Sequence, residues 1–100
     1  MSKHEYTTPE VTELRRTAKS SIAQIVLHGL NRAVINHESD TTYKVVCGDG
    51  TMEVDFDVID LKPGVSVTVP AGTPYQDEGC LKLLAESVPP FNIAAIEYLD

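Results

Sequence analysis

The sequence of residues 61–75 is LKPGVSVTVPAGTPY, and this stretch decides the fold class. Three valines, Val65, Val67 and Val69, alternate with hydroxyl-bearing residues. This two-residue period is typical of a β-strand with one buried face. Lys-Pro-Gly precedes the valines and Pro-Ala-Gly-Thr-Pro follows them, and both segments have the composition of turns. The stretch therefore predicts a short, half-buried strand between two turns.

Short strands are predicted on both sides of this stretch, at residues 22–27, 33–36, 43–47, 52–58 and 81–88. Residues 48–50, Gly-Asp-Gly, predict a hairpin turn because glycine adopts positive φ freely. The apolar alternation slips near residues 55–57, which predicts a tight turn or a bulge there. Many short strands separated by turns predict a closed or sandwiched all-β domain, since closure removes exposed strand edges.

The size and charge of the chain limit its classes of partner. Its 100 residues fit one domain, and 8 Lys and Arg against 15 Asp and Glu give a net charge of -7. A negative surface repels phosphate backbones and anionic lipids, so we expect neither nucleic acid nor membrane as a partner. No apolar run is long enough for a membrane helix, and residues 1–10 have no apolar signal-peptide core. We therefore expect a cytoplasmic protein.

Three segments differ in composition along the chain. Residues 1–20 are polar with sparse apolar positions, which fit either a short helix or an irregular first strand. Residues 21–91 contain the predicted strands, and residues 92–100 form an apolar tail. Cys47 and Cys80 have no metal-motif spacing, so we expect free thiols that act as small buried or half-buried residues.

The spacing of glycines and prolines resembles the two sequence motifs of the cupin superfamily. The first motif is Gly, five residues, His, one residue, His, three or four residues, Glu, six residues, Gly. Its offsets fall on Gly29, Ile35, His37, Thr41 and Gly48. The second is Gly, five residues, Pro, one residue, Gly, two residues, His, three residues, Asn, and its offsets fall on Gly64, Pro70, Gly72, Tyr75 and Gly79. The resemblance covers residues 21–91 and implies a single cupin-type double-stranded β-helix, an all-β jelly-roll barrel.

The resemblance also implies where a metal would bind, and this chain departs from the pattern there. Metal-binding cupins hold a divalent metal with three His and one Glu, and the matching positions here are Ile35, His37, Thr41 and Tyr75. Isoleucine cannot coordinate, threonine binds such metals weakly, and tyrosine coordinates as a phenolate, against a free pKa of about 10. We therefore expect a substituted metal site and no metal cofactor.

The first functional hypothesis is a metal-free barrel that binds a small organic ligand. If the motif alignment sets the inward phase, the pocket is lined by Ile35, His37, Thr41, Tyr43 and Tyr75. The two tyrosines would stack on a sugar-like or aromatic ring, and His37 and Thr41 would orient it by hydrogen bonds.

Two alternatives stay open beside ligand binding. One is a cupin enzyme, an isomerase or epimerase of sugars with His37 as base and Tyr75 as acid, or a metal enzyme with a site rebuilt from His37, His28, Tyr75 and Asp77 or Glu78. Otherwise Asp77 and Glu78 are expected in a solvated loop. The other alternative is a structural or interaction protein, a homodimer that uses the apolar tail.

Overall fold

The structure is a computed structural model that describes residues 6–99. Strands make up nearly all of its regular elements: β1 (Glu10–Arg16), β2 (Ser21–Leu30), β3 (Val34–Asn36), β4 (Asp40–Val54), β5 (Asp57–Leu61), β6 (Ser66–Val69), β7 (Pro74–Val88) and β8 (Ile96–Tyr98). A single 3-10 turn, Ile93–Ala95, precedes β8, and the described residues contain no helix that could cross a membrane. The all-β prediction is therefore confirmed.

Two long antiparallel strands organise the sheet. β4 and β7 pair from Asp40 opposite Val88 to Val54 opposite Tyr75. β7 also pairs with β2 and β3, while β4 pairs with β5 and β6. β1 extends the sheet beyond β2, and β8 extends it beyond β3. Every pairing is antiparallel, so the chain curls into one barrel-like sheet with its core inside.

The core follows the two-residue period of the strands. Leu81, Leu83 and Ala85 on β7 are at most 6% exposed, and the residues between them lie nearer to solvent. They pack against Leu27, Val45, Met52, Leu61, Val67 and Val69. Each fully buried aliphatic side chain of this size contributes about 1.5–3 kcal/mol relative to exposure. Val67 and Val69 of the 61–75 stretch belong to this core, as their alternation predicts, and Val65 is partly buried against it.

The hairpin predicted at Gly48-Asp49-Gly50 is wrong, because β4 runs straight through these residues to Val54. The chain turns at Asp55 and Phe56, whose φ angles are 48° and 73°. A tight turn near residues 55–57 is thus confirmed. The glycines have a different purpose: a Cβ on Gly48 would overlap the carbonyl oxygen of Cys80 on β7. They let the two long strands approach closely.

The ends of the chain join the sheet. Of the two possibilities for the first segment, the structure has a strand, β1, and all seven of its residues are exposed. In the tail, β8 pairs with β3. The expectation that Cys47 and Cys80 are buried is wrong, because both lie on the outer phase of β4 and β7 and are exposed free thiols.

Candidate functional site

A cavity of about 500 Å³ opens into the barrel beside the packed core. Its floor and walls come from alternate positions on β2, β4 and β7, where side chains two residues apart face the same side. The small residues Ala23, Ala85 and Ser87 leave space that larger side chains would fill. The inward residues on these strands are Ser21, Ala23, Ile25, Thr41, Tyr43, Tyr75, Asp77, Ala85 and Ser87. Such a volume is in the usual range for small-molecule sites.

Two tyrosines on neighbouring strands form one wall of the cavity. The Tyr43 hydroxyl donates a hydrogen bond of 2.7 Å to the Tyr75 hydroxyl. Their ring centroids lie 5.7 Å apart with an interplanar angle of 51°. Burial raises the pKa of Tyr43 well above its ordinary value, and burial also raises the pKa of Tyr75. Both phenols are therefore neutral at physiological pH and can donate hydrogen bonds.

A buried carboxyl group stands next to this pair. Asp77 is 4% exposed and lines the cavity two residues after Tyr75 on β7. The Asn31 side chain donates from Nδ2 to Oδ1 of Asp77 over 3.1 Å. The backbone N–H of Asn31 also donates to the backbone carbonyl of Asp77. Burial raises the pKa of Asp77, and the bond from Asn31 opposes this by stabilising the charged form. The cavity thus contains a carboxyl group that is harder to ionise than a surface one.

Hydroxyl groups and an ion pair complete the polar part of the lining. The hydroxyls of Thr41 and Ser87 are 3.3 Å apart and both residues are buried. At the exposed rim, Arg16 pairs with Glu13 at 2.6 Å and donates to the Phe91 carbonyl over 2.7 Å. The cavity therefore combines apolar walls with a few convergent polar groups, which is the general character of ligand sites.

The five pocket residues predicted from the motif positions are only partly brought together. Thr41, Tyr43 and Tyr75 line the cavity. On β3 the inward residues are Val34 and Asn36, both buried, so the strand period turns Ile35 outward. Ile35 borders a separate, open groove of about 400 Å³, which it shares with Phe56, Leu99 and the other side of Tyr75.

His37 lies on the outside of the barrel. Its side chain is 52% exposed, and its Nε2 lies 2.6 Å from the Glu97 carboxylate. The candidate catalytic pair of His37 and Tyr75 is therefore not assembled, because only Tyr75 faces the cavity. His37 is two residues after Ile35. Side chains two residues apart on an extended chain face the same side, so His37 points outward as Ile35 does.

The residues at the motif positions do not fit the divalent metal that the family implies. Ile35 has no donor atom, Thr41 bonds to Ser87, and Tyr75 is a neutral phenol. The rebuilt site is also dispersed, because His28 and Glu78 are exposed on the outer phase while Asp77 faces inward. Within residues 6–99, no three His, Cys, Asp or Glu side chains are placed to hold a metal.

The sequence interpretation did not single out Asn31 or Ser87, and it considered Asp77 only as a possible ligand of a rebuilt metal site or as part of a solvated loop. Asp77 was expected in a solvated loop with Glu78, and that expectation is wrong for Asp77 because β7 begins at Pro74. Inside the strand the two residues alternate: Asp77 is buried and Glu78 is exposed. The available signal was the two-residue spacing from Tyr75, which places Asp77 on the same face.

Comparisons with solved structures find the same architecture. The chain is similar to Streptomyces PAC13 with uridine, with a TM-score of 0.80, 19% identity, and coverage of 99% of this chain and 92% of that one. PAC13 is described as a nucleoside dehydratase. KdgF from a Halomonas species gives a TM-score of 0.78 at 15% identity, with 89% of each chain covered. A Klebsiella pneumoniae protein with a double-stranded β-helix domain gives 0.77 at 13% identity, covering 98% of this chain and 90% of that one.

The sequence matches no protein-family model and no curated protein. At these identities the structural likeness concerns the fold. The chain is a small single cupin-type double-stranded β-helix, as the motif spacing predicts.

Proposed function

We propose that this cupin-type barrel binds a small, uncharged organic ligand in its cavity and needs no metal to do so. The observation that carries the proposal is the lining of the 500 Å³ cavity: two neutral tyrosines, a buried carboxyl group, an amide and two hydroxyls on otherwise apolar walls. Few, fixed polar groups on an apolar surface orient a ligand without a strong net charge.

The ligand class that fits best is a planar ring that carries hydroxyl groups, such as a nucleoside. The face of a ring can pack on Tyr43 or Tyr75, since aromatic rings favour offset or tilted contacts. Thr41, Ser87 and Asp77 can accept hydrogen bonds from sugar hydroxyls. The structure of PAC13 with uridine, on the same fold, supports a nucleoside as the first probe. The net charge of -7 disfavours anionic ligands.

The test is a titration of the isotope-labelled protein with uridine, followed by amide chemical shifts. We expect saturable shifts at residues of β4 and β7 that line the cavity. Tyr75→Ala should weaken binding, while Phe56→Ala, which removes an exposed ring outside the cavity, should leave it unchanged. Ribose and uracil, tested separately, report which half of the ligand is recognised. If none of the three produces saturable shifts at cavity residues, the proposed ligand class is wrong.

The proposal that no metal is needed has its own test. Elemental mass spectrometry of protein purified without chelator measures bound metal, and the uridine titration is repeated after treatment with chelator. We expect the same affinity in both samples. A near-stoichiometric transition metal whose removal abolishes binding would overturn this part.

We also propose that the protein acts in the cytoplasm as a homodimer. Exposed apolar side chains on the tail favour association: Ile93 is 65% exposed and Leu99 is 45% exposed. Light scattering across a range of concentrations measures the mass of the particle in solution. A mass of one chain at high concentration, unchanged by deletion of residues 93–100, would refute the dimer.

A further inference from the structure

The carboxyl group of Asp77 is oriented by the Asn31 side chain and by its own backbone N–H. Asn31 bonds to Oδ1, and no other side chain among residues 6–99 bonds to Asp77. Because Asp77 is buried and lines the cavity, its carboxyl group lies beside the space where a ligand would sit.

The Tyr75 hydroxyl is placed to act on the same ligand. Tyr75 and Asp77 are two residues apart on β7, so both side chains face the cavity. The Tyr75 oxygen accepts the proton of Tyr43, which leaves the proton of Tyr75 itself for another acceptor. Its phenol stays protonated because burial raises its pKa. The pair thus presents an acceptor and a donor to one space.

We infer that Asp77 and Tyr75 are a proton-transfer pair for carbonyl compounds bound in this cavity. The Asp77 carboxylate takes a proton from a carbon next to the carbonyl group. The electrons of that C–H bond form the enolate, and Tyr75 donates a hydrogen bond to the oxygen that gains the charge. Return of the proton from Asp77 to the opposite face of the same carbon, after the planar enolate has turned over in the cavity, completes an epimerisation, so atoms and electrons balance without a co-reactant. This inference rests on the proposed ligand cavity.

The test uses nitrobenzisoxazole, a small aromatic probe that reports a carboxylate base in an apolar site. A base removes the ring C–H proton, those electrons form a nitrile, and the N–O bond breaks to give a coloured phenolate. We expect saturable acceleration by the full-length protein. Asp77→Asn should reduce the rate by about 100-fold, in the range of general-base contributions. Glu78→Gln, the outward neighbour on the same strand, should keep the wild-type rate.

Tyr75→Phe provides a second variant in case Asp77→Asn folds poorly, and it should lower the rate while retaining part of it. Circular dichroism of each variant checks folding. A wild-type rate no faster than buffer, or an equal rate in folded Asp77→Asn, would overturn the inference. Uridine titration of the same samples separates the two proposals. Uridine binding without proton transfer refutes only the pair, whereas Asp77-dependent catalysis without uridine binding refutes only the nucleoside ligand.

Discussion

Tyr43 donates a hydrogen bond to Tyr75 over 2.7 Å and thereby joins the two longest strands inside the cavity. The hydroxyl proton of Tyr43 is used in this bond, whereas the hydroxyl proton of Tyr75 can be donated to a group in the cavity. Tyr43 is 6% exposed and belongs to the core, so it supports the position of Tyr75.

Tyr43→Phe should destabilise the protein by about 1 kcal/mol, because it removes a buried hydrogen bond without removing the ring. Urea denaturation measures the change in the free energy of unfolding. Thr68→Val is the matched control, because it removes one hydrogen bond at an exposed site. Thr68 lies on β6, and its hydroxyl is 3.0 Å from the hydroxyl of Thr42 on β4. We expect a change within about 0.5 kcal/mol there. Equal losses in both variants would show that the tyrosine bond adds no stability.

Asp77 should make stability fall as pH rises. Its pKa is raised in the folded state above the usual 3.8, so the folded protein holds this proton more tightly than the unfolded chain. Between the unfolded and the folded pKa, the folded state therefore binds more protons, and the contribution of Asp77 to stability decreases with pH. Tyr43 and Tyr75 stay neutral throughout this window.

Comparison of wild type and Asp77→Asn by thermal unfolding at several pH values isolates this contribution. The stability of the wild type relative to that of the variant should be highest below pH 3.8 and should decrease as the pH rises above this value. Glu78→Gln, which also removes one carboxyl group but on the exposed face of the same strand, is the control for the change in net charge. A wild type that gains stability over Asp77→Asn with rising pH would mean that the folded state favours the carboxylate.

Gly48 should be far less tolerant of substitution than Gly72. Both have positive φ, 91° and 83°, so alanine meets a similar backbone strain at each. A Cβ at Gly72 meets open space, whereas at Gly48 it overlaps the backbone of Cys80. We expect about 1 kcal/mol of destabilisation for Gly72→Ala and at least about 2 kcal/mol more for Gly48→Ala. Chemical denaturation of the two variants gives the difference, and similar losses would argue against close strand packing.

His37→Ala should leave the affinity for uridine unchanged. The side chain lies outside the cavity and pairs with Glu97 on the surface. An exposed pair of this kind contributes at most about 1 kcal/mol, so stability should also change little. Affinity by titration and stability by denaturation test both points. Thr41→Val, which changes a cavity hydroxyl, is the positive control for binding.

Much of the architecture was predictable because glycine, proline and alternating valines act locally. Val67 and Val69 are buried as expected, and the turn at Asp55 and Phe56 falls where the alternation slips. Gly48 misled the interpretation, since positive φ serves both a turn and a close approach of two strands. That choice depends on which strand is the neighbour, which is a tertiary property.

The candidate site was less predictable than the fold. Three of the five expected residues, Thr41, Tyr43 and Tyr75, line the cavity, and Ile35 and His37 face outward. Motif offsets gave the correct region, but a shift of one residue on a three-residue strand reverses every side chain. Asp77 was considered only as a metal ligand or a loop residue, because its local composition is that of a loop and its burial comes from its place inside β7.

Tyr75 lies between the inner cavity and the outer groove and belongs to the lining of both. Its ring is therefore a partition one side chain thick between the two spaces. A small residue at this position would join the two spaces and give the interior a second opening. The same phenol that meets a ligand inside thus also keeps bulk water from entering through the side of the barrel.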